Sequence, residues 1–149
     1  MQLYLVHHGV AVAADEDARR PLSNVGMAGV ARIAAKAAAL GAKPEVVWHS
    51  GKLRAKQTGQ EFWRACNALA AFEVSKDLQP DDPPQWMRDR LRGETRNIAL
   101  AGHFPFMPRL LSLLISGGDA GADFPINGIV ALVTDDEGET YRELWRIEN

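Results

Sequence analysis

The chain has four histidines, and each stands at or just beyond the end of a short apolar run: His7, His8, His49 and His103. An imidazole is largely neutral near pH 7, so it can act as a nucleophile or a general base, or bind phosphate. Gly9 follows His8, and a glycine lets a ligand approach the backbone closely. These residues predict histidine chemistry, with His8 as the first candidate.

Arg54 is the cation best placed to join these histidines. It lies about one turn into a predicted helix for which Ser50 is the candidate N-cap, so its forked guanidinium can reach back over the strand ends, as a phosphate would require. His103 precedes another predicted helix, whose free N–H groups and dipole favour an anion. The usual nucleotide-binding patterns are absent: no Gly-x-Gly-x-x-Gly follows the first strand, and there is no Gly-x-x-x-x-Gly-Lys-Ser/Thr.

The elements that would position these residues alternate between strands and helices. We predict strands at Leu3–Val6, Val46–Trp48 and Asn97–Ala101, helices from about Ser23 to Gly41, Lys52 to Ala70, Gln85 to Arg92 and Phe104 to Ser116, and a terminal antiparallel pair at Ile129–Thr134 and Thr140–Arg146. This order predicts an α/β fold of three layers, α/β/α, with a mainly parallel central sheet and one domain over residues 1–149. In such sheets ligands bind beyond the carboxyl ends of the strands, where the histidines fall.

Composition narrows the function classes. The 149 residues carry a net charge of −2, and the four tryptophans are scattered, so we expect neither a nucleic-acid nor an anionic-lipid partner. The longest apolar runs fall well short of the roughly 20 residues that cross a bilayer. The N-terminal residues lack the features of a signal peptide and there is one cysteine, so we expect a cytoplasmic protein.

Four motifs resemble those of the histidine phosphatases, the phosphoglycerate mutase-like superfamily, and most of all its SixA-type phosphohistidine phosphatase branch. His8-Gly9 is similar to the Arg-His-Gly motif, and Arg20-Pro21-Leu22-Ser23 to Arg-Pro-Leu-Thr. Ser50 to Thr58 resembles Ser-x-x-x-Arg-Ala-x-Gln-Thr, and Gly102-His103 resembles Gly-His. The resemblance runs nearly end to end and implies a phosphoglycerate mutase-like fold.

The resemblance also implies a mechanism and a class of substrate. His8 would be the nucleophile that forms a phosphohistidine, with His103 as second catalytic residue and Arg54, His7, Gly9 and Ser50 binding phosphate. No metal and no cofactor would be needed. Between Phe72 and Arg96 there is room for only a loop and about two helical turns, so we expect an open pocket. A protein-borne phosphohistidine would fit it, and a small phosphomonoester is the other substrate considered.

One position departs from the family pattern, because His7 stands where the motif has arginine. This change removes a forked donor of fixed charge from the phosphate pocket. Our hypothesis is that His7, as imidazolium, takes part of that role, which predicts that kcat/KM rises as the pH falls from about 8 to 6. Alternatively, one of three other basic residues reaches the pocket: Lys52, Arg20 or Arg109.

Several alternatives stay open on the sequence alone. The candidate general acids are loop aspartates: Asp77, Asp81 and Asp82. A phosphate- or phosphoprotein-binding module with weak or no turnover is the second reading of function. A zinc site built from the four histidines is a third, although no His-x-x-x-His spacing supports it. His49 is assigned to packing, and the oligomeric state is not predicted.

Overall fold

The computed structural model describes residues 1–149, and its strands and helices alternate along most of the chain. The elements are β1 Gln2–His7, α1 Asn24–Ala39, β2 Val46–His49, α2 Leu53–Cys66, β3 Ala71–Val74, α3 Pro84–Leu91, β4 Ile98–Gly102, α4 Phe106–Ser116, β5 Ile129–Val133 and β6 Arg142–Ile147. No helix combines the length and apolarity needed to cross a membrane.

All six strands form one sheet, in the order β3-β2-β4-β1-β5-β6. The pairs β2 with β3, β2 with β4, and β1 with β4 are parallel, whereas β5 and β6 add antiparallel strands at one side. The predicted α/β class, the mainly parallel sheet and the C-terminal antiparallel pair are therefore confirmed.

Helices cover both faces of the sheet because the central strands are apolar on both faces. Along β1, Leu3 and Leu5 point into a core shared with α3 and α4. Tyr4 and Val6 point to the opposite face and pack in a core shared with α1 and α2. A strand buried on both sides has a nearly continuous apolar sequence, as β1 does.

The chain leaves two neighbouring strands toward opposite faces, and this divergence opens a crevice. After β1 it passes to α1 on one face, and after β4 it passes to α4 on the other. Ligands in open α/β sheets bind at such a point, beyond the carboxyl ends of the strands. The residues after β1 pack tightly on α1: a Cβ at Gly26 would lie 2.0 Å from the carbonyl oxygen of Val10.

Two predictions about the region after β2 were wrong. The second helix ends at Cys66, not near Ala70, and is followed by the unpredicted edge strand β3, whose residues are mostly exposed. Ser50 does not cap this helix, because the N-cap residue is Lys52 and no side chain caps the first turn. The first turn of α2 therefore keeps unsatisfied N–H groups.

Candidate active site

The sheet edge brings together residues from three segments of the chain. His7 ends β1 and His8 follows it, while His103 follows β4, the neighbouring parallel strand. The ring centroids of His8 and His103 are 5.2 Å apart, and those of His7 and His8 are 4.6 Å apart. Since parallel strands end at the same edge, residues 95 positions apart in sequence face each other across the crevice.

The protonation state of His8 follows from one hydrogen bond. His8 Nδ1 lies 2.7 Å from the carbonyl oxygen of Gly9, which can only accept, so Nδ1 carries the hydrogen. A neutral imidazole protonated at Nδ1 has its lone pair at Nε2. Burial lowers the pKa of His8 from its ordinary value of 6.5, and the charges of Arg54 and Arg20 lower it further, against the raising effect of the Gly9 hydrogen bond. His8 therefore presents an unprotonated Nε2 at neutral pH.

His103 is buried and bonded on one side only. Its Nε2 lies 2.6 Å from Ser50 Oγ, and its Nδ1 is buried without a hydrogen-bond partner. Burial lowers the pKa of His103 to about 3, with His8 and Arg54 as the next causes. An unpartnered buried nitrogen costs free energy unless a ligand satisfies it. The side of His103 away from Ser50 is therefore a position for a polar ligand atom.

Arg54 lies in the first turn of α2, and its Nε is the other buried side-chain nitrogen without a partner. Burial, followed by the nearby charge of Arg20, lowers the pKa of Arg54, which still stays fully charged. Arg20 is held by an Nε donation to the carbonyl oxygen of Val12 at 3.1 Å. Two cations that lower the pKa of His8 thus border the crevice, and Arg54 has no carboxylate partner. This arrangement suits an anion.

Without a ligand, burial keeps His7 neutral in this site, so our hypothesis that it acts as an imidazolium depends on the bound phosphate. Burial lowers the pKa of His7 to about 3, with His8 and Arg54 as the smaller causes. A rise in kcat/KM between pH 8 and 6 would therefore require the bound phosphate to raise the pKa of His7. Three basic residues were named as alternatives. The charge of Arg20 lowers the pKa of His8, and that of Lys52 lowers the pKa of His103. Arg109 instead forms a salt bridge with Asp119 at 3.0 Å.

Several sequence candidates are engaged elsewhere. His49 stacks on Phe72 and its Nδ1 accepts the N–H of Gly51, in agreement with a packing role. The loop aspartates do not contribute to the pKa shifts of the three clustered histidines. Asp77 pairs with Arg90 at 3.6 Å, and Asp82 accepts the N–H of Gln79 at 2.9 Å. No group of three His, Cys, Asp or Glu residues could hold a metal ion, so the zinc alternative has no ligand set.

Two residues that hold the site were not singled out in the sequence. Thr58 is fully buried: its hydroxyl accepts the N–H of Gly9 at 3.1 Å and donates to the carbonyl oxygen of Arg54 at 2.8 Å. Asn127 donates its side-chain amide to the carbonyl oxygen of His8 at 2.7 Å. Thr58 closes the Ser50–Thr58 motif, which was the available signal for it. For Asn127 the only signal is an Asn-Gly turn before β5.

The buried histidines predict that the protein loses stability in acid. In the unfolded chain His7 and His103 take up protons below about pH 6.5, whereas in the folded protein they do so only near pH 3. The unfolded state therefore binds more protons in this window, and each histidine lowers the free energy of unfolding by about 1.4 kcal/mol per unit of falling pH. Urea unfolding at several pH values between 6 and 4 measures this slope.

The variant His103→Asn provides the control for this prediction, because asparagine does not titrate. The slope of unfolding free energy against pH should decrease by about 1.4 kcal/mol per pH unit relative to the unmodified protein. An unchanged slope would mean that His103 titrates alike in the folded and unfolded states, contrary to its burial.

Comparison with solved structures defines the class of fold, which is that of the phosphoglycerate mutases. The phosphoglycerate mutase of Plasmodium falciparum superimposes with a TM-score of 0.69 at 17% identity, covering 97% of this chain and 88% of that one. The ecdysone phosphate phosphatase EPPase of Bombix mori, in complex with tungstate, superimposes with a TM-score of 0.70 at 11% identity, covering 97% and 92%.

The similarity to SixA proteins is higher. The protein histidine phosphatase SixA, solved with tungstate, has a TM-score of 0.87 and 25% identity, and the match covers 99% of this chain and 97% of that one. A protein described as a SixA phosphohistidine phosphatase from Agrobacterium tumefaciens gives 0.79 and 22%, with the same coverage. No family model and no curated protein matches the sequence. The chain therefore has the fold of the histidine phosphatases, and the solved structures to which it is similar include phosphatases.

Proposed function

We propose that the protein is a metal-independent phosphohydrolase in which His8 attacks phosphorus and a phosphohistidine forms on the enzyme. The observation that carries this proposal is the hydrogen bond from His8 Nδ1 to the Gly9 carbonyl, which leaves the Nε2 lone pair free. The ring centroid of His8 is 5.2 Å from that of His103, and the charge of Arg54 lowers the pKa of His8; His103 and Arg54 each have an unpartnered buried nitrogen. A nucleophile and an anion-binding group therefore share one crevice.

In the first step the lone pair of His8 Nε2 forms an N–P bond while the bond from phosphorus to the leaving group breaks. The bonding electrons depart with the leaving group, and the phosphohistidine that forms on His8 carries its positive charge on the imidazolium ring. Charge is spread over the three equatorial oxygens of the transferring group. Arg54 and His103 are preorganised to bind these oxygens, and the Arg20 charge lies near the same nucleophile. The Gly9 N–H is donated to Thr58 and Ser50 Oγ bonds His103 Nε2, so Gly9 and Ser50 hold the site in place and do not themselves donate to the phosphoryl oxygens.

In the second step water attacks the phosphorus of the phosphohistidine. The N–P bond breaks, its electrons return to His8 Nε2, and inorganic phosphate is released. Both protons of the water leave with the phosphate or pass from it to solvent, so the cycle consumes one water per phosphoryl group. The protein ends in its starting protonation state.

Phosphohistidine on another protein is the substrate class we propose. An alkoxide leaving group needs a general acid. The groups whose charges shift the pKa of His8 and His103 are other histidines, arginines and a lysine, and no carboxyl group is among them. An N-phosphorylated imidazole that is protonated on its second nitrogen leaves as a neutral ring without such an acid. The short α3, of eight residues, is the only helix between β3 and β4, which leaves room for a protein-borne group.

Acid-free trapping of the enzyme-bound phosphoryl group tests this proposal. The protein is mixed with ³²P-labelled phosphohistidine, quenched in alkali, which preserves phosphoramidates, and digested. We expect label on the peptide that contains His8 and faster turnover of phosphohistidine than of phenyl phosphate. Binding of phosphate with no label and no turnover would contradict an enzymatic role and would favour a phosphoprotein-binding module.

A further inference from the structure

His7, which occupies the position of the motif arginine, is held on two sides. Its ring stacks on Phe104, with centroids 4.1 Å apart and an angle of 21° between the planes. The backbone N–H of Asn127 donates to His7 Nδ1 at 2.8 Å. Because Nδ1 accepts this hydrogen bond, the single hydrogen of the neutral ring must be on Nε2.

The Nε2–H group of His7 is available to a ligand. It has no hydrogen-bond partner within the protein, and it is not among the fully buried nitrogens, although the residue as a whole is only 6% exposed. The His7 ring borders the crevice. His8 and Arg54 are close enough to lower the pKa of His7, and His7 is close enough to lower the pKa of His103. An oxyanion beside His8 would therefore meet a neutral N–H donor where the family motif has a charged guanidinium.

Asn127 contacts both histidines through different groups. Its backbone N–H binds His7, and its side-chain Nδ2 donates to the carbonyl oxygen of His8 at 2.7 Å. Its φ of 55° lies in the left-handed region, which asparagine tolerates better than most residues. The next residue, Gly128, accepts the N–H of His7 at 3.0 Å. The turn at 127–128 thus fixes the end of β1 on which the nucleophile stands.

We propose that Asn127 is a positioning residue that holds His7 as a neutral Nε2–H donor to the bound phosphoryl group and fixes the main chain of His8. The inference rests on the proposed function for the identity of the ligand. It differs from the imidazolium hypothesis in one measurable respect, because a neutral donor needs no protonation of His7. The groups that face His7 are His8 from the end of β1, Arg54 from α2 and His103 beyond β4, and none of them is an acid.

Two amide variants of His7 separate its Nε2–H donor from the hydrogen bond that Nδ1 accepts from Asn127. In His7→Asn the side-chain oxygen can replace Nδ1 and accept the Asn127 N–H, but nothing replaces Nε2–H. In His7→Gln the side-chain amide nitrogen reaches the Nε2 position and restores a donor. Titration calorimetry with tungstate should show that His7→Gln binds about tenfold or more tightly than His7→Asn, since a donor to a charged acceptor is lost only in the latter. The reverse order would overturn the proposal.

The tautomer can be observed directly and without turnover. Long-range ¹H–¹⁵N spectra of the protein labelled in its histidines should show His7 protonated at Nε2 and unprotonated at Nδ1 between pH 6 and 8, with and without tungstate. Protonation of Nδ1 in the tungstate complex would overturn the inference. If the His8 peptide still carries label in the trapping experiment, the proposed function survives that result. Absence of tungstate binding to the unmodified protein would overturn both.

Asn127→Gly tests the positioning role through a split between kcat and binding. Glycine keeps the backbone N–H and adopts the same φ, but it removes the amide that holds the His8 carbonyl. We expect kcat to fall about tenfold while tungstate affinity stays within about threefold and the His7 tautomer is unchanged. In the control Asn97→Gly, β1 loses the hydrogen bond between Gln2 N–H and Asn97 Oδ1 at its other end, and kcat should not change. Equal effects on kcat in both variants would overturn the positioning role.

Discussion

Replacement of His8 by alanine is expected to lower kcat by about a thousandfold or more. The variant loses the only nucleophile on the path to the covalent intermediate, whereas Arg54 and the unpartnered Nδ1 of His103 remain to bind the oxyanion. Turnover of phosphohistidine should therefore disappear while tungstate still binds. Steady-state kinetics and calorimetry on the same preparation check both parts.

His49→Asn is a matched control for the His8 variant. His49 is also a buried histidine at a strand end, but it stacks on Phe72 and accepts the Gly51 N–H through Nδ1. Asparagine can keep that acceptor, so kcat should stay within about twofold of the unmodified protein. Activity that survives in His8→Ala, or that is lost equally in His49→Asn, would remove His8 from the mechanism.

The electrostatics of the crevice explain why three histidines can stand together. At neutral pH all three rings are uncharged, because burial and the neighbouring cations lower the pKa of each one. The positive charge is supplied by the guanidinium groups of Arg54 and Arg20. In the proposed mechanism a phosphoryl dianion entering the site would meet positive charge and N–H donors, while His8 would keep its lone pair. Binding and nucleophilicity would then be provided by different residues.

Much of the fold was predictable because the central strands carry their own signal. β1 and β4 are apolar runs that end in His7 and Gly102, and parallel pairing brings their ends to one edge. The meeting of His8 with His103 follows from that topology and not from their distance in sequence. Arg54 was predictable for a similar reason, since helical geometry places a first-turn residue near the strand that precedes the helix.

The features that were not predictable depend on tertiary contacts. β3 is a four-residue edge strand with mostly exposed side chains, so its sequence has no apolar alternation that would predict a strand. It is a strand because it pairs with β2. Asn127 donates a backbone N–H to His7, 120 residues away in sequence. A pattern of side-chain types cannot predict a contact that the backbone makes. The low pKa of His7 was not predictable, because the burial that lowers it is a property of the folded protein.

Replacement of Arg54 by methionine is expected to separate activity from stability. Arg54 has no carboxylate partner, and its buried Nε makes no hydrogen bond, so in the absence of ligand the fold bears the cost of a desolvated cation. An apolar side chain of similar length should leave the free energy of unfolding unchanged or raise it by about 1 kcal/mol. The same variant loses a charged donor to the transferring phosphoryl group, so kcat should fall about a hundredfold or more.

Arg109→Met is the matched control, because Arg109 is a partly buried arginine of α4 that is paired with Asp119. Its replacement should leave kcat unchanged. Tungstate should also stabilise the unmodified protein and Arg109→Met in urea, by an amount that grows with its concentration, whereas Arg54→Met should gain much less. If Arg54→Met instead unfolds more easily while keeping its kcat, the cation serves the fold. In that case the crevice would lack the charge on which the binding of a phosphoryl group depends.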